Sequence, residues 1–355
     1  MKKYFVTLFL SVFCFVVQVS AQSSVIATLF HDGDIKTFYG TGALRSAHAA
    51  AVHGDVITLS SGSFTATDIT KAVTLRGAGM EYDSISVIEP TIISGNFSIQ
   101  IASDSTLQNN NLVMEGIYHN ADGTITVKGS LRNPQFVKCR LYEIRCSSAS
   151  GTYGYMYYAN FINCVIAYEV EFYSSGSATF VNCYVYDMEY YSSNPTASAE
   201  FQNCVVKDSR FSSVSNAVFR NCFLYATTTV SSSSILNILP STSPAYNCVA
   251  LSAISSTNVF ANQSNTTNTQ VSSLSDVFKT WKGSSLENFK TQRLELTDAA
   301  KTKYLGSDGT QIGIYGGSIP FDPRPSNPQI TKLNVASKST ADGKLSVDIE
   351  VKAAE

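Results

Sequence analysis

Between residues 136 and 250, apolar and polar positions alternate with the two-residue period of a β-strand, and one fixed group of residues interrupts the alternation. The chain reads Phe136-Val-Lys-Cys139-Arg-Leu141, Phe161-Ile-Asn163-Cys164-Val-Ile166 and Phe180-Val-Asn182-Cys183-Tyr-Val185. It continues with Phe201-Gln-Asn203-Cys204-Val-Val206, Phe219-Arg-Asn221-Cys222-Phe-Leu224 and a decayed copy, Tyr246-Asn247-Cys248-Val-Ala250. Successive Cys are 25, 19, 21, 18 and 26 residues apart, so loops of changing length join a constant unit. Within a copy, Phe, Cys and the apolar residue two beyond Cys point inward, and Asn occupies a bend. Asn accepts the left-handed backbone such a bend needs. Stacking the copies gives a β-solenoid, with Asn163, Asn182, Asn203 and Asn221 expected to form an amide ladder. The same stacking places Cys139, Cys164, Cys183, Cys204, Cys222 and Cys248 in one inward column. Parallel strands lie about 4.8 Å apart, and a disulfide needs Cβ atoms near 3.8 Å, so these thiols are expected to stay reduced. Cys146 lies off the column and is open to another pairing.

The ends of the chain carry further patterns. Ala43 to Val52 reads as a short helix, followed by Gly54-Asp55-Val-Ile-Thr-Leu59, Gly62-Ser-Phe64 and Lys71-Ala-Val73-Thr-Leu75-Arg-Gly77-Ala-Gly79. Far downstream stands Asp308-Gly-Thr-Gln-Ile312-Gly-Ile-Tyr315-Gly-Gly317. With the repeats, these motifs resemble the pectate-lyase-like right-handed parallel β-helices of the secreted bacterial type. The resemblance implies an all-β, single-stranded right-handed parallel β-helix with an N-terminal capping helix, the downstream motif forming its closing rungs. Residues 55–317 leave room for about twelve rungs. Pro320, Pro323, Pro325 and Pro328 then mark a linker over 320–329, and the alternation in 330–355 predicts a C-terminal β-hairpin.

At the other end, Lys2 and Lys3, the apolar run Tyr4–Val17 and Val19-Ser20-Ala21 have the order of a signal peptide over 1–21. The run is too short to span a bilayer. Export is therefore expected, to the periplasm, the cell surface or the medium, with no membrane span after cleavage and the β-helix occupying 22–319. Charged residues make up only 15% of the chain and the net charge is −2, which gives no footprint for nucleic acid.

Two outward columns carry the candidate chemistry. Four residues beyond Cys stand Glu143, Asp187 and Asp208, with Glu169 displaced by one; two residues further come Arg145, Glu171, Glu189 and Arg210. Stacked carboxylates repel, and three reliefs are open: splaying into solvent with Arg pairing across rungs, a bound Ca²⁺ on Glu143, Glu169, Asp187 and Asp208, or a catalytic cluster. Otherwise no cofactor is expected. Eleven of the 19 Tyr fall between Tyr142 and Tyr191. Tyr155, Tyr157, Tyr184, Tyr186, Tyr190 and Tyr191 are the candidate glycan contacts, because an aromatic ring with a polar tip suits a sugar. Tyr is also simply a good strand residue. The catalytic sets that the resemblance would imply are incomplete: Arg132-Asn-Pro134 opens an R-x-P-x-x-R pattern and lacks its second Arg. The expected function is therefore a secreted or cell-surface solenoid that binds a polysaccharide or a host or cell-surface glycan without cleaving it. The alternatives are a polysaccharide lyase or other carbohydrate-active enzyme acting on an acidic polysaccharide, and a purely structural surface protein.

Overall fold

The structure, a computed structural model, describes residues 25–82, 88–102, 111–120, 122–146, 154–173, 175–190, 197–207, 216–225, 239, 241–251, 258–273, 275–280, 294–326, 329–335, 338–340 and 342–352. The expected signal peptide, 1–21, lies outside them. The chain is an all-β parallel β-solenoid of about seven turns with very few helices. A leading sheet takes the strand before each bend. From Val113–Glu115 it stacks Gln135–Val137, Gly154–Ile162, Gly176–Val181, Ser198–Gln202, Ala217–Arg220 and Ala245–Tyr246, all parallel. A trailing sheet takes the strand after it, among them Arg140–Arg145, Val165–Phe172, Tyr184–Val185, Val205–Lys207, Phe223–Tyr225 and Val249–Leu251.

The repeat residues do what their chemistry dictates. Phe136, Phe161, Phe180, Phe201 and Phe219 form one pile inside the coil, with centroids 4.8, 4.6, 4.8 and 5.0 Å apart and planes within 10°. Such offset piles add to the burial of each ring. Asn163, Asn182, Asn203, Asn221 and Asn247 all have φ between 50° and 55°, and Lys138 takes the same bend at 50°. All seven described Cys, Cys146 included, are free and buried. Their burial pushes the thiols of Cys139, Cys146, Cys164, Cys204 and Cys248 up, which keeps them protonated.

The opening motifs are also structural. A hairpin, Ile26–His31 with Asp34–Tyr39, precedes the helix Ala43–Ala50 and pairs antiparallel with Val56–Leu59. Lys71 Nζ donates to the carbonyls of His48, Ala49 and Ala51 at 2.8, 2.9 and 2.6 Å, satisfying orphan acceptors at the negative end of the helix. Asp55 accepts from the Val52 amide at 2.7 Å and pairs with His31 Nδ1 at 2.8 Å, and that carboxylate raises the His31 pKa.

The downstream motif departs from expectation. Residues 304–326 do not add rungs; they run back along the outside of the bends. The Gly313 amide donates to Asn221 O at 2.9 Å, and the Ser307 amide to Asn221 Oδ1 at 3.2 Å. Asn182 Nδ2 donates to Ile314 O at 2.8 Å and to Gly316 O at 2.7 Å. Further back, Pro325 packs on Gly79 and Gly116, and the Ser326 amide reaches Glu115 Oε1 at 3.2 Å. The coil has about seven turns where the span 55–317 is expected to hold about twelve, and residues 304–317 of the strap take up less than one turn's length of that difference. In place of an amide ladder, the side chains of Asn182 and Asn221 bond to the strap, and among the described residues Oδ1 of Asn163, Asn182 and Asn203 has no hydrogen-bond partner. Gly317, at φ 73°, sits where a Cβ would collide with Asn203 Nδ2. Phe321 is buried, so 320–326 lies on the coil rather than hanging as a linker. Beyond it, Gln329–Val335 and Val347–Lys352 form a separate antiparallel pair.

Candidate functional site

The strap decides which outward residues remain available. Val165, Tyr184, Val205, Phe223 and Val249, the residues just after Cys164, Cys183, Cys204, Cys222 and Cys248, point out of the coil into a second apolar layer with Leu294, Leu296, Tyr304, Ile312, Ile314 and Phe321. Tyr184, expected on the surface, is 4% exposed, and its hydroxyl meets that of Tyr225 at 2.9 Å. Burial raises its pKa. It cannot touch a glycan, because the returning chain covers it.

The acidic column lies further along the trailing sheet. Glu143 stands beside Glu169, and Arg145 beside Glu171, which pairs on with Glu189. The one-residue displacement of Glu169 in the sequence is a register shift after Leu141. Glu143, Glu169 and Glu171 are buried, so they do not splay into solvent. Arg145 bridges Glu143 at 2.7 Å and Glu171 at 3.8 Å, and Thr124 Oγ1 donates to Glu143 Oε2 at 2.5 Å. Among the described residues, no three His, Cys, Asp or Glu side chains gather closely enough to hold a metal ion. Asp208, Arg210 and Tyr191 lie outside the described residues.

The other tyrosines spend their faces on neighbours. Tyr142, Tyr168 and Tyr186 form a pile, with centroids 5.2 and 6.4 Å apart and planes within 18°. Lys207 Nζ closes its far end, 3.4 Å from the centre of Tyr186. Burial lowers Lys207 to about 8, with Asp187 pulling the other way. Tyr155 stacks on Tyr157 at 6.1 Å and meets Tyr173 edge-on, while Arg132 covers Tyr157 at 4.8 Å. Tyr190 pairs through its backbone with Phe172. These piles offer ring edges and hydroxyls, not the open faces that stacking on a sugar requires.

Tyr158, by contrast, is turned to solvent. Between Met156 and Ala159, the strand Gly154–Ile162 carries one residue more than its neighbour Gly176–Val181. This bulge throws Tyr158 outward at φ 56°, 62% exposed. Its amide donates to Ser177 Oγ at 2.8 Å, and Asn160 Nδ2 donates to its carbonyl at 3.2 Å, holding the bulge shut. A bulky residue in the left-handed region costs about 1–3 kcal/mol and persists where surroundings enforce it, commonly at binding sites. Tyr158 stands at one end of a shallow groove of about 410 Å³ across the leading sheet. Asn160, Thr179, Glu200 and Val218 form its floor as consecutive rung partners, with Ser177 and Ser198 beside them. Glu200 pairs with Arg220 at 3.3 Å, and Arg220 in turn lies over Tyr246 at 4.7 Å.

Neither the groove nor the special place of Tyr158 followed from the two-residue alternation. The available signal was the doubled Tyr157-Tyr158, which breaks that alternation inside an otherwise regular strand. Compared with family models, with curated proteins and with solved structures, the chain finds no match.

Proposed function

We propose that the protein is an exported, right-handed parallel β-helix of the pectate-lyase-like type that binds an extended glycan without cleaving it. In this reading the helix Ala43–Ala50 caps one end of the coil, the pair 329–335 and 347–352 forms a C-terminal hairpin appendage, and 1–21 directs export to the periplasm, surface or medium. The observation that carries the reading is Tyr158, an exposed ring held in a costly backbone conformation at the end of a polar groove. A ring face supplies the stacking contact, while Asn160, Thr179, Ser177 and Ser198 supply hydrogen bonds to hydroxyls. Rungs repeat every 4.8 Å or so, close to the length of one sugar ring, so contacts recur in register along a chain laid across them. The scaffold is stiff, which spares the ordering cost of binding. The contact is made by side chains alone, without Ca²⁺ or another cofactor.

A second reading, an enzyme on an acidic polysaccharide, draws on Lys207. A lysine whose pKa burial lowers to about 8, beside Asp187 and against Tyr186, supplies a neutral amine that has the properties of a general base. Affinity electrophoresis against a panel of polysaccharides, run beside assays for new reducing and unsaturated ends, separates the two. Retardation that Tyr158→Ala abolishes, with no new ends, supports binding; new ends lost in Lys207→Met support the enzyme; no retardation and no new ends leave a structural solenoid.

A further inference from the structure

The groove also carries information about the chemical class of its ligand. Its floor is formed by one side chain from each of four successive turns, Asn160, Thr179, Glu200 and Val218, so it runs along the coil axis across the strands. Three intervals of a strand spacing make it about 14 Å long, enough for a few sugar rings end to end. Amide and hydroxyl groups dominate the lining, and they both donate and accept, matching sugar hydroxyls.

The single ionised group in that lining is a carboxylate. Glu200 is 48% exposed, in the middle of the floor, where a polymer crossing the groove must pass it. Arg220, which pairs with Glu200 at 3.3 Å, also lies over the Tyr246 ring at 4.7 Å. A uronic acid or sulfated sugar laid along the floor would bring an anion within one rung of Glu200. In water that repulsion is worth about a factor of four in affinity. The chain as a whole adds no attraction for anions, since its net charge is −2.

We infer that the Tyr158 groove takes a neutral, hydroxyl-rich glycan running parallel to the coil axis, and that Glu200 is the residue that selects against anionic polymers. This rests on the glycan-binding reading above and narrows it. The selectivity is electrostatic at an exposed site, so it must fade with salt.

The test is affinity electrophoresis of the full chain in gels containing galactomannan, xyloglucan, mixed-linkage β-glucan or polygalacturonate. The wild type is expected to be retarded by a neutral polymer and less by polygalacturonate. Tyr158→Ala should lose retardation on every polymer. Glu200→Gln should raise the ratio of polygalacturonate affinity to neutral-polymer affinity about fourfold at low salt, and the change should shrink at 0.5 M NaCl, where the Debye length is roughly half that of physiological buffer. Equal retardation of the wild type by neutral and anionic gels, or a Glu200→Gln variant indistinguishable from wild type on polygalacturonate, overturns the selectivity while Tyr158-dependent binding survives. Retardation by none of the polymers overturns the binding reading and this inference with it.

Discussion

Two strips of outward-facing side chains flank each bend of the coil, and the chain treats them oppositely. On the trailing side, Val165, Tyr184, Val205, Phe223 and Val249 are buried beneath the strap. On the leading side, Asn160, Thr179 and Glu200 line an open groove beside Tyr158. Both strips obey the same alternation, so periodicity alone assigns both to the surface. Their chemistry separates them. A column of Val, Phe and Tyr facing out of a solenoid must find cover, because an apolar stripe that long left bare would invite association. A column of Asn, Thr and Glu needs none.

The largest expected effect attacks that cover. Ile314 is buried in the strap, and Ile314→Ala should lower stability by about 3 kcal/mol in denaturant titration, within the range for removing a buried aliphatic side chain. Ile162 is half-buried on the leading face, and Ile162→Ala should cost about 1 kcal/mol, since less area returns to water. Equal losses would mean that the strap does not protect the trailing strip.

How much of this was legible beforehand depended on distance along the chain. The Phe pile and the bends were readable because each copy carries its own bend chemistry within six residues. Asn at φ near +50° needs no distant partner to explain it. The Gly-Asp and Lys motifs near residues 54 and 71 stood out in the sequence, but the roles of Asp55 as backbone acceptor and Lys71 as helix-end donor appear only in three dimensions. The strap was not readable, because Asn182 meets Ile314 and Gly316 across 132 and 134 residues. Its Gly- and aromatic-rich alternation looks like one more rung. The surroundings of the candidate tyrosines were hidden for a related reason: direction can be read from parity, but Tyr184, Tyr186 and Tyr157 differ in what lies on top of them. The apolar residue after each column Cys from Cys164 to Cys248 was the one sequence signal that something would.

A middle-sized effect concerns the opening end. Lys71→Met removes a cation that bonds three helix-end carbonyls, and stability should fall by about 1–2 kcal/mol. Because the contact is far from both strips, Tyr158 and Tyr184 should keep their exposures, read by chemical labelling.

Tyr158→Gly sharpens the comparison from the open side. Glycine adopts φ 56° freely, so the variant should be more stable than wild type by about 1 kcal/mol while losing glycan retardation. Tyr158→Ala keeps the strained backbone and should lose retardation without that gain. A Tyr158→Gly variant no more stable than wild type would show that the bulge stores no strain.

The smallest effect is a pH dependence. Asp55 raises the His31 pKa above its ordinary 6.5. A raised folded-state value stabilises the protein fully below pH 6.5, and the contribution is lost as pH rises through the folded pKa. Wild-type melting temperature should therefore decline slightly more than that of His31→Gln as pH passes upward from 6.5; parallel curves would contradict the pairing.

The most direct measurement of the account is tyrosine footprinting with a small nitrating or iodinating reagent, read by mass spectrometry with and without a neutral glycan that retards the protein. The account predicts that Tyr158 is modified early, that Tyr184 and Tyr225 stay unmodified until unfolding, and that the glycan protects Tyr158 while leaving Tyr168, 40% exposed on the tyrosine pile, unchanged. Early modification of Tyr184, or protection of Tyr168 in place of Tyr158, would contradict it.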